Sequence, residues 1–205
     1  FPYVISHVHL FVATVFQILK DPKNTKFHAE TALQIATQRG FSFLEGWALI
    51  FTAWAEHHLG EAETSSKMET AIAKWKENGS DVFLLWLITC HIDVVAREQR
   101  HNEAGEIIKE SISIGERAGC KWLQPEFLRL GAVCNLREKR PDVVKVERTL
   151  LKSLELARIQ GGKFWELRAA VNLARLWGER GDRQKAYDLL LPVYDWFTEG
   201  FETTD

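Results

Sequence analysis

Glycine recurs at Gly40, Gly79, Gly119, Gly161 and Gly200, at separations of 39, 40, 42 and 39 residues, and this period constrains the fold of the 205-residue chain more than any other property. Aligned on these glycines, the preceding segments read ALQIATQRG, AIAKWKENG, SISIGERAG, SLELARIQG and PVYDWFTEG. Their first column is Ala32, Ala71, Ser111, Ser153 and Pro192, and their second is Leu33, Ile72, Ile112, Leu154 and Val193. A small residue beside a branched apolar one lets helix backbones approach closely, and a glycine just past the last turn supplies the left-handed conformation that ends a helix. Upstream of each segment lies another stretch of helical period. In ELRAAVNLARLWGERGDRQKAYDLLLPVY, for example, Leu167, Ala170, Leu173, Ala174 and Trp177 share one face before the break at Gly181-Asp182.

Each unit therefore reads helix, short turn, helix, glycine. No segment shows sustained strand alternation, so the expected fold class is all-α. The expected helix pairs are 3–19 with 24–39, 43–59 with 62–78, 82–98 with 102–118, 122–138 with 143–160, and 163–180 with 183–198. Such a pair cannot bury its apolar face alone and must stack on its neighbours. The units are bounded at 1–40, 41–79, 80–119, 120–161 and 162–200 within a single repeat domain, 1–205.

Composition narrows the function classes. With 46% hydrophobic and 26% charged residues the chain can bury a core, which excludes disorder, and a net charge of -2 provides no basic field for nucleic acid. Three cysteines without a C-x-x-C pair suit a reducing, cytoplasmic setting. The opening run FPYVISHVHLFVATVFQIL has no charged side chain, but Pro2, Ser6, His7, His9, Thr14 and Gln17 interrupt it. A membrane helix needs about 20 predominantly apolar residues, so no membrane is expected. The one methionine is Met68 and the chain stops at Asp205, which reads as a piece of a longer protein.

The last unit resembles the tetratricopeptide (TPR) pattern, with Leu173-Ala174 in the Leu-Gly place, Trp177 in the aromatic place, Gly181 in the turn, and Ala186 and Leu190 in the second helix. The units are longer than the roughly 34 residues of that repeat, which implies lengthened helices. The resemblance implies a right-handed TPR-like superhelix, an α-solenoid of about five helix-turn-helix units. The C-terminal stretch is also similar to the terminal TPR-like region of large bacterial proteins. In those, a class III adenylate or guanylate cyclase domain precedes a signal-transduction ATPase and then these repeats. Trp165 to Ala170, Leu173 to Trp177 and Trp196 to Phe201 carry the similarity, with weaker echoes at Ala53-Trp54, Trp75, Glu126 and Arg129 to Gly131. His91, Glu56 and Thr52 depart from it, standing where apolar residues are usual. By this resemblance, cyclase, ATPase and ATP-binding activities belong to the parent protein, and no residue of this chain inherits them.

Catalytic chemistry is not expected here. The string GERGDRQK lies between helices and not after a strand, as a phosphate loop would require. His57-His58, His7 with His9, and Cys90-His91 lack the i, i+3 or i+4 spacing that brings ligands or a thiol and its base onto one helix face. Glu106, Glu110, Glu126 and Glu166 read as solvated positions, and Arg137, Lys139 and Arg140 as cations complementing a helix C-terminus. No cofactor or metal is expected.

Eight tryptophans are the compositional oddity. Trp75, Trp177 and Trp196 occupy repeat columns and are expected in the core. Trp47, Ile50, Trp54 and His57 form a different stripe, continued by Trp86, Thr89 and Asp93 and then by Arg168, Val171 and Arg175. This stripe lines either a concave binding groove or the interior of a wide solenoid. The first case would bind a peptide, a protein or another domain of the parent through a few buried anchors, as a regulatory scaffold in signal transduction. The alternative is a small-molecule effector-binding region, as in the resembling helical repeats of the maltose-operon activator, which would need a closed pocket. Self-association is also expected, through an apolar end face or the uncharged first helix.

Overall fold

The computed structural model describes residues 1–61, 64–78 and 81–201. Among them the chain is all-α, with ten helices and no strand: α1 Pro2–Ile18, α2 Pro22–Arg39, α3 Ser42–His58, α4 Thr64–Asn78, α5 Asp81–Arg97, α6 His101–Arg117, α7 Gln124–Leu136, α8 Val143–Ile159, α9 Lys163–Glu179 and α10 Arg183–Tyr194. The ten expected helices are found with small shifts at their ends, and the first, second, fourth and fifth expected pairs pack together. The expected start of α7 moves inward because Pro125, which lacks a donor N–H, fits the first helical turn. The expected end of α10 falls short at Tyr194, two residues after Pro192.

Three of the periodic glycines act as the spacing implies, whereas Gly200 lies past α10, which ends at Tyr194, and closes no helix. At Gly40 the backbone turns left-handed, with φ 70°, and the Phe41 N–H reaches back to Ala36 O at 2.9 Å. Cys120 N–H to Gly115 O at 2.8 Å, and Gly162 N–H to Ala157 O at 2.9 Å, repeat this wrap after Gly119 and Gly161. Gly79 lies outside the described residues. Between α1 and α2 the same position is held by Lys20, at φ 57°. Asp21 then caps α2 by accepting from Asn24 N–H at 3.1 Å, a hydrogen bond that helps to hold its carboxyl below the ordinary range.

The chain divides into two compact units, Phe1–Glu98 and Gln99–Glu202. The boundary falls between the two helices of the third expected pair. In the first unit each helix packs on the next, and α3 also touches α1 and α5. Small residues permit close approach: Ser6 Oγ donates to Ala32 O at 3.0 Å across the α1–α2 contact, and a Cβ on Gly46 would meet the Trp75 ring at 3.4 Å. In the second unit α6 through α10 pack in succession, and α7 also touches α9. Ser153 Oγ, in the small column of the repeat, donates to Pro125 O at 2.7 Å. The core there runs through Leu150, Leu154, Ala169, Ala170, Leu173 and Trp177. No described helix is long and apolar enough to cross a membrane.

Candidate functional site

Burial separates the residues of the expected groove. Trp47, Ile50 and Trp54 are buried to 1% exposure or less, and Trp86 is buried as well. They form the interior of the first unit and are not surface anchors, because α3 is covered by α2, α4, α1 and α5 together. Trp47 meets Phe83 edge-on with ring centres 4.4 Å apart, and it also packs against His7, Phe11 and Phe51. His57 and Thr89 are half-buried; Thr89 Oγ1 donates to Trp86 O at 2.6 Å within its own helix. Trp75 and Trp177 are core, as expected, but Trp196 is exposed. Because α10 ends at Tyr194, Trp196 stands past the helix that was to carry it inward.

Two members of the stripe do meet. Trp54 Nε1 donates to Asp93 Oδ2 at 2.9 Å, His58 Nε2 lies 2.8 Å from the same oxygen, and Lys20 Nζ approaches it at 3.4 Å. Arg97 Nε is 3.7 Å from the other oxygen. Burial works against ionising Asp93, but the His58 hydrogen bond, the Lys20 charge and the Trp54 N–H outweigh it and hold the carboxyl far below its ordinary value. A carboxylate so occupied is no general base. It fastens the α1–α2 turn to α3 and α5. One turn earlier, burial pushes the Cys90 thiol up to about 12, so it remains protonated.

The second unit holds Arg168, Val171 and Arg175. Arg168 Nη1 donates to the buried carboxylate of Glu126 at 3.0 Å, and its guanidinium lies 4.3 Å from the Phe164 ring centre. Arg129 clasps Glu126 with two bonds of 2.7 Å and reaches Asn172 Oδ1 at 3.0 Å. This network ties α7 to α9. Glu126 and Glu166, read as solvated from the sequence, are both buried; Glu166 accepts from Arg158 and Lys163. Val171 is half-buried and Arg175 exposed, with neither joined to the network by a described hydrogen bond.

A concavity lies elsewhere. Between α2, α3 and α4 a cleft of about 380 Å³ is walled by Leu33, Leu49, Ala53 and Ala71, with Thr52 and Glu56 from α3 at its side. Glu56 is buried and pairs with Lys67 Nζ at 2.9 Å; the lysine side chain is 55% exposed. The Thr52 hydroxyl is buried without a hydrogen-bond partner. Neither residue was among the sequence-derived site candidates, although both had stood out as polar side chains where apolar ones are usual.

No protein-family model matches the chain. An uncharacterized protein of Rhizobium meliloti (strain 1021) is 27% identical over 135 residues. The match covers 65% of this chain and 13% of the relative, so the chain spans a small part of the curated relative's length.

Proposed function

We propose that this chain is a binding module, a TPR-like helical-repeat scaffold that takes a helix from a protein partner or from another domain of its parent. The observation that carries the reading is the outer face of α1. Val4, Val8, Phe11 and Val15 recur at helical spacing, each 53–55% exposed, on a helix of 17 residues with no acidic or basic side chain in its end turns. Exposed apolar stripes of this kind mark interaction surfaces. An amphipathic helix would cover the stripe as α2 and α4 cover α3. The second-neighbour contacts of α3 with α1 and α5, and of α7 with α9, support the TPR-like stacking. The C-terminal resemblance supports a signalling parent, an adenylate or guanylate cyclase with an ATPase domain, acting in the cytoplasm. There the module would favour one state of the parent by binding it better than the other.

Without its partner helix the chain covers the α1 stripe with a second copy. Light scattering should show mass rising with concentration, and Val8→Asp with Phe11→Asp should return a folded monomer. A wild-type chain that stays monomeric at high concentration sinks the assignment of α1 as the recognition face. The alternative, a small-molecule sensor, is favoured by the α2–α3–α4 cleft, which lies within the roughly 300–1,000 Å³ usual for ligand sites.

A further inference from the structure

Three observations single out the α2–α3–α4 cleft. Leu33, Leu49, Ala53 and Ala71 give it an aliphatic wall that rewards an apolar body, while Ser66 and Thr70 add hydroxyl-bearing side chains and one side presents the buried carboxylate of Glu56. That carboxylate sits in the last turns of α3, where the helix dipole disfavours an anion, and its partner Lys67 sits near the start of α4, where it disfavours a cation. The pair is thus placed against both dipoles. Moreover, an ion pair with one half-exposed lysine stabilises little, while a buried carboxylate costs desolvation.

The half-buried Asp93 and the buried Glu126 and Glu56 differ in what holds them. Asp93 is held by Trp54, His58 and Lys20, and Glu126 by Arg129 and Arg168. Among the described residues Glu56 is ion-paired with Lys67, and Lys26 acts on it through its charge. Lys67 is a long, half-exposed cation that another cation can replace without opening the core. Beside it the Thr52 hydroxyl, buried and unpaired, offers a second polar group after rotation about χ1.

We propose that this cleft binds a small organic amine, a single protonated ammonium on a short apolar body, with the ammonium displacing Lys67 Nζ from Glu56. The apolar body lies against Leu33, Leu49, Ala53 and Ala71. The site is independent of the α1 face, and its failure would leave the protein-binding reading untouched.

The test uses the 205-residue chain, with hexylamine and 2-phenylethylamine as probes, hexan-1-ol as the uncharged match and hexanoate as the anionic one. Binding is read from amide chemical shifts. The amines should saturate at one site, with shifts centred on α3 and α4, while the alcohol binds at least about tenfold more weakly and hexanoate does not bind. Lys67→Ala removes the competing cation from an exposed position, so it should tighten the amines severalfold. Glu56→Gln should weaken them about tenfold or more. If Glu56→Gln does not fold, Lys67→Ala and the alcohol comparison decide the matter alone. The proposal is overturned if no amine saturates, if amine and alcohol bind alike, or if Lys67→Ala leaves amine binding unchanged or weaker.

Discussion

Helices α1 and α3 are each 17 residues long and both are rich in apolar side chains, yet their surroundings differ almost completely. In α3 eleven residues are buried, Leu44 through Glu56 with few gaps; in α1 the buried residues are Ser6, Leu10, Ala13 and Gln17. The cause is not composition. Helix α3 has neighbours on all sides, whereas α1 packs on α2 and α3 and leaves its far side open. An apolar helix surrounded by protein is core, and the same kind of helix with one uncovered face is a candidate interface. On the proposed reading, the difference gives opposite tasks to similar sequences: stability to α3 and recognition to α1.

Substitutions at the two helices should break this comparison if it is wrong. Trp54→Ala in α3 empties a large buried site and removes an Asp93 donor, so urea unfolding should show a loss of about 3–5 kcal/mol. Phe11→Ser in α1 should cost no more than about 1 kcal/mol in the same measurement. Equal losses would mean that α1 is as much a core element as α3.

Asp93→Ala should cost about 1–3 kcal/mol, because it strands the Trp54 N–H. The pH dependence sharpens the point. The folded Asp93 carboxyl lies below its unfolded value, so between the two the unfolded chain binds more protons and stability rises with pH. The contribution is fully present above the unfolded value of about 4 and is lost as pH falls toward the folded one. Chemical unfolding from pH 5 down to pH 2 should therefore show a flatter loss for Asp93→Asn than for the wild type; parallel curves would refute the assignment.

Gly40→Ala forces a side chain into the left-handed region, where nothing lies within 4 Å of the new Cβ. The cost is then purely conformational, about 1 kcal/mol by thermal unfolding. The smallest effect on stability is expected for Val8→Ser, within about 0.5 kcal/mol, with a measurable fall in self-association by sedimentation.

The helices were legible because they depend on local rules: the glycine period, the small column and the 3.6-residue repeat of apolar positions. The Asp93 fastening was half legible. Trp54 and Asp93 stood on one proposed stripe, but Lys20 comes from a turn 73 residues away, and no local pattern joins them. Thr52 and Glu56 were visible as misplaced polar residues. Their meaning depended on Lys67 and on the cleft, both of which exist only once α2, α3 and α4 have packed.

The sequence by itself determined that the chain is all-α, where its helices begin and end to within a few residues, and that most of its left-handed turns take glycine. Those properties follow from backbone conformation and hydrophobic period, which act over a few residues. Tertiary structure alone decided that Trp47 and Trp54 face inward, that α1 keeps an open apolar face, and that Glu56 lies beside a cleft. Burial is a property of neighbours, and neighbours distant in the chain are chosen by packing.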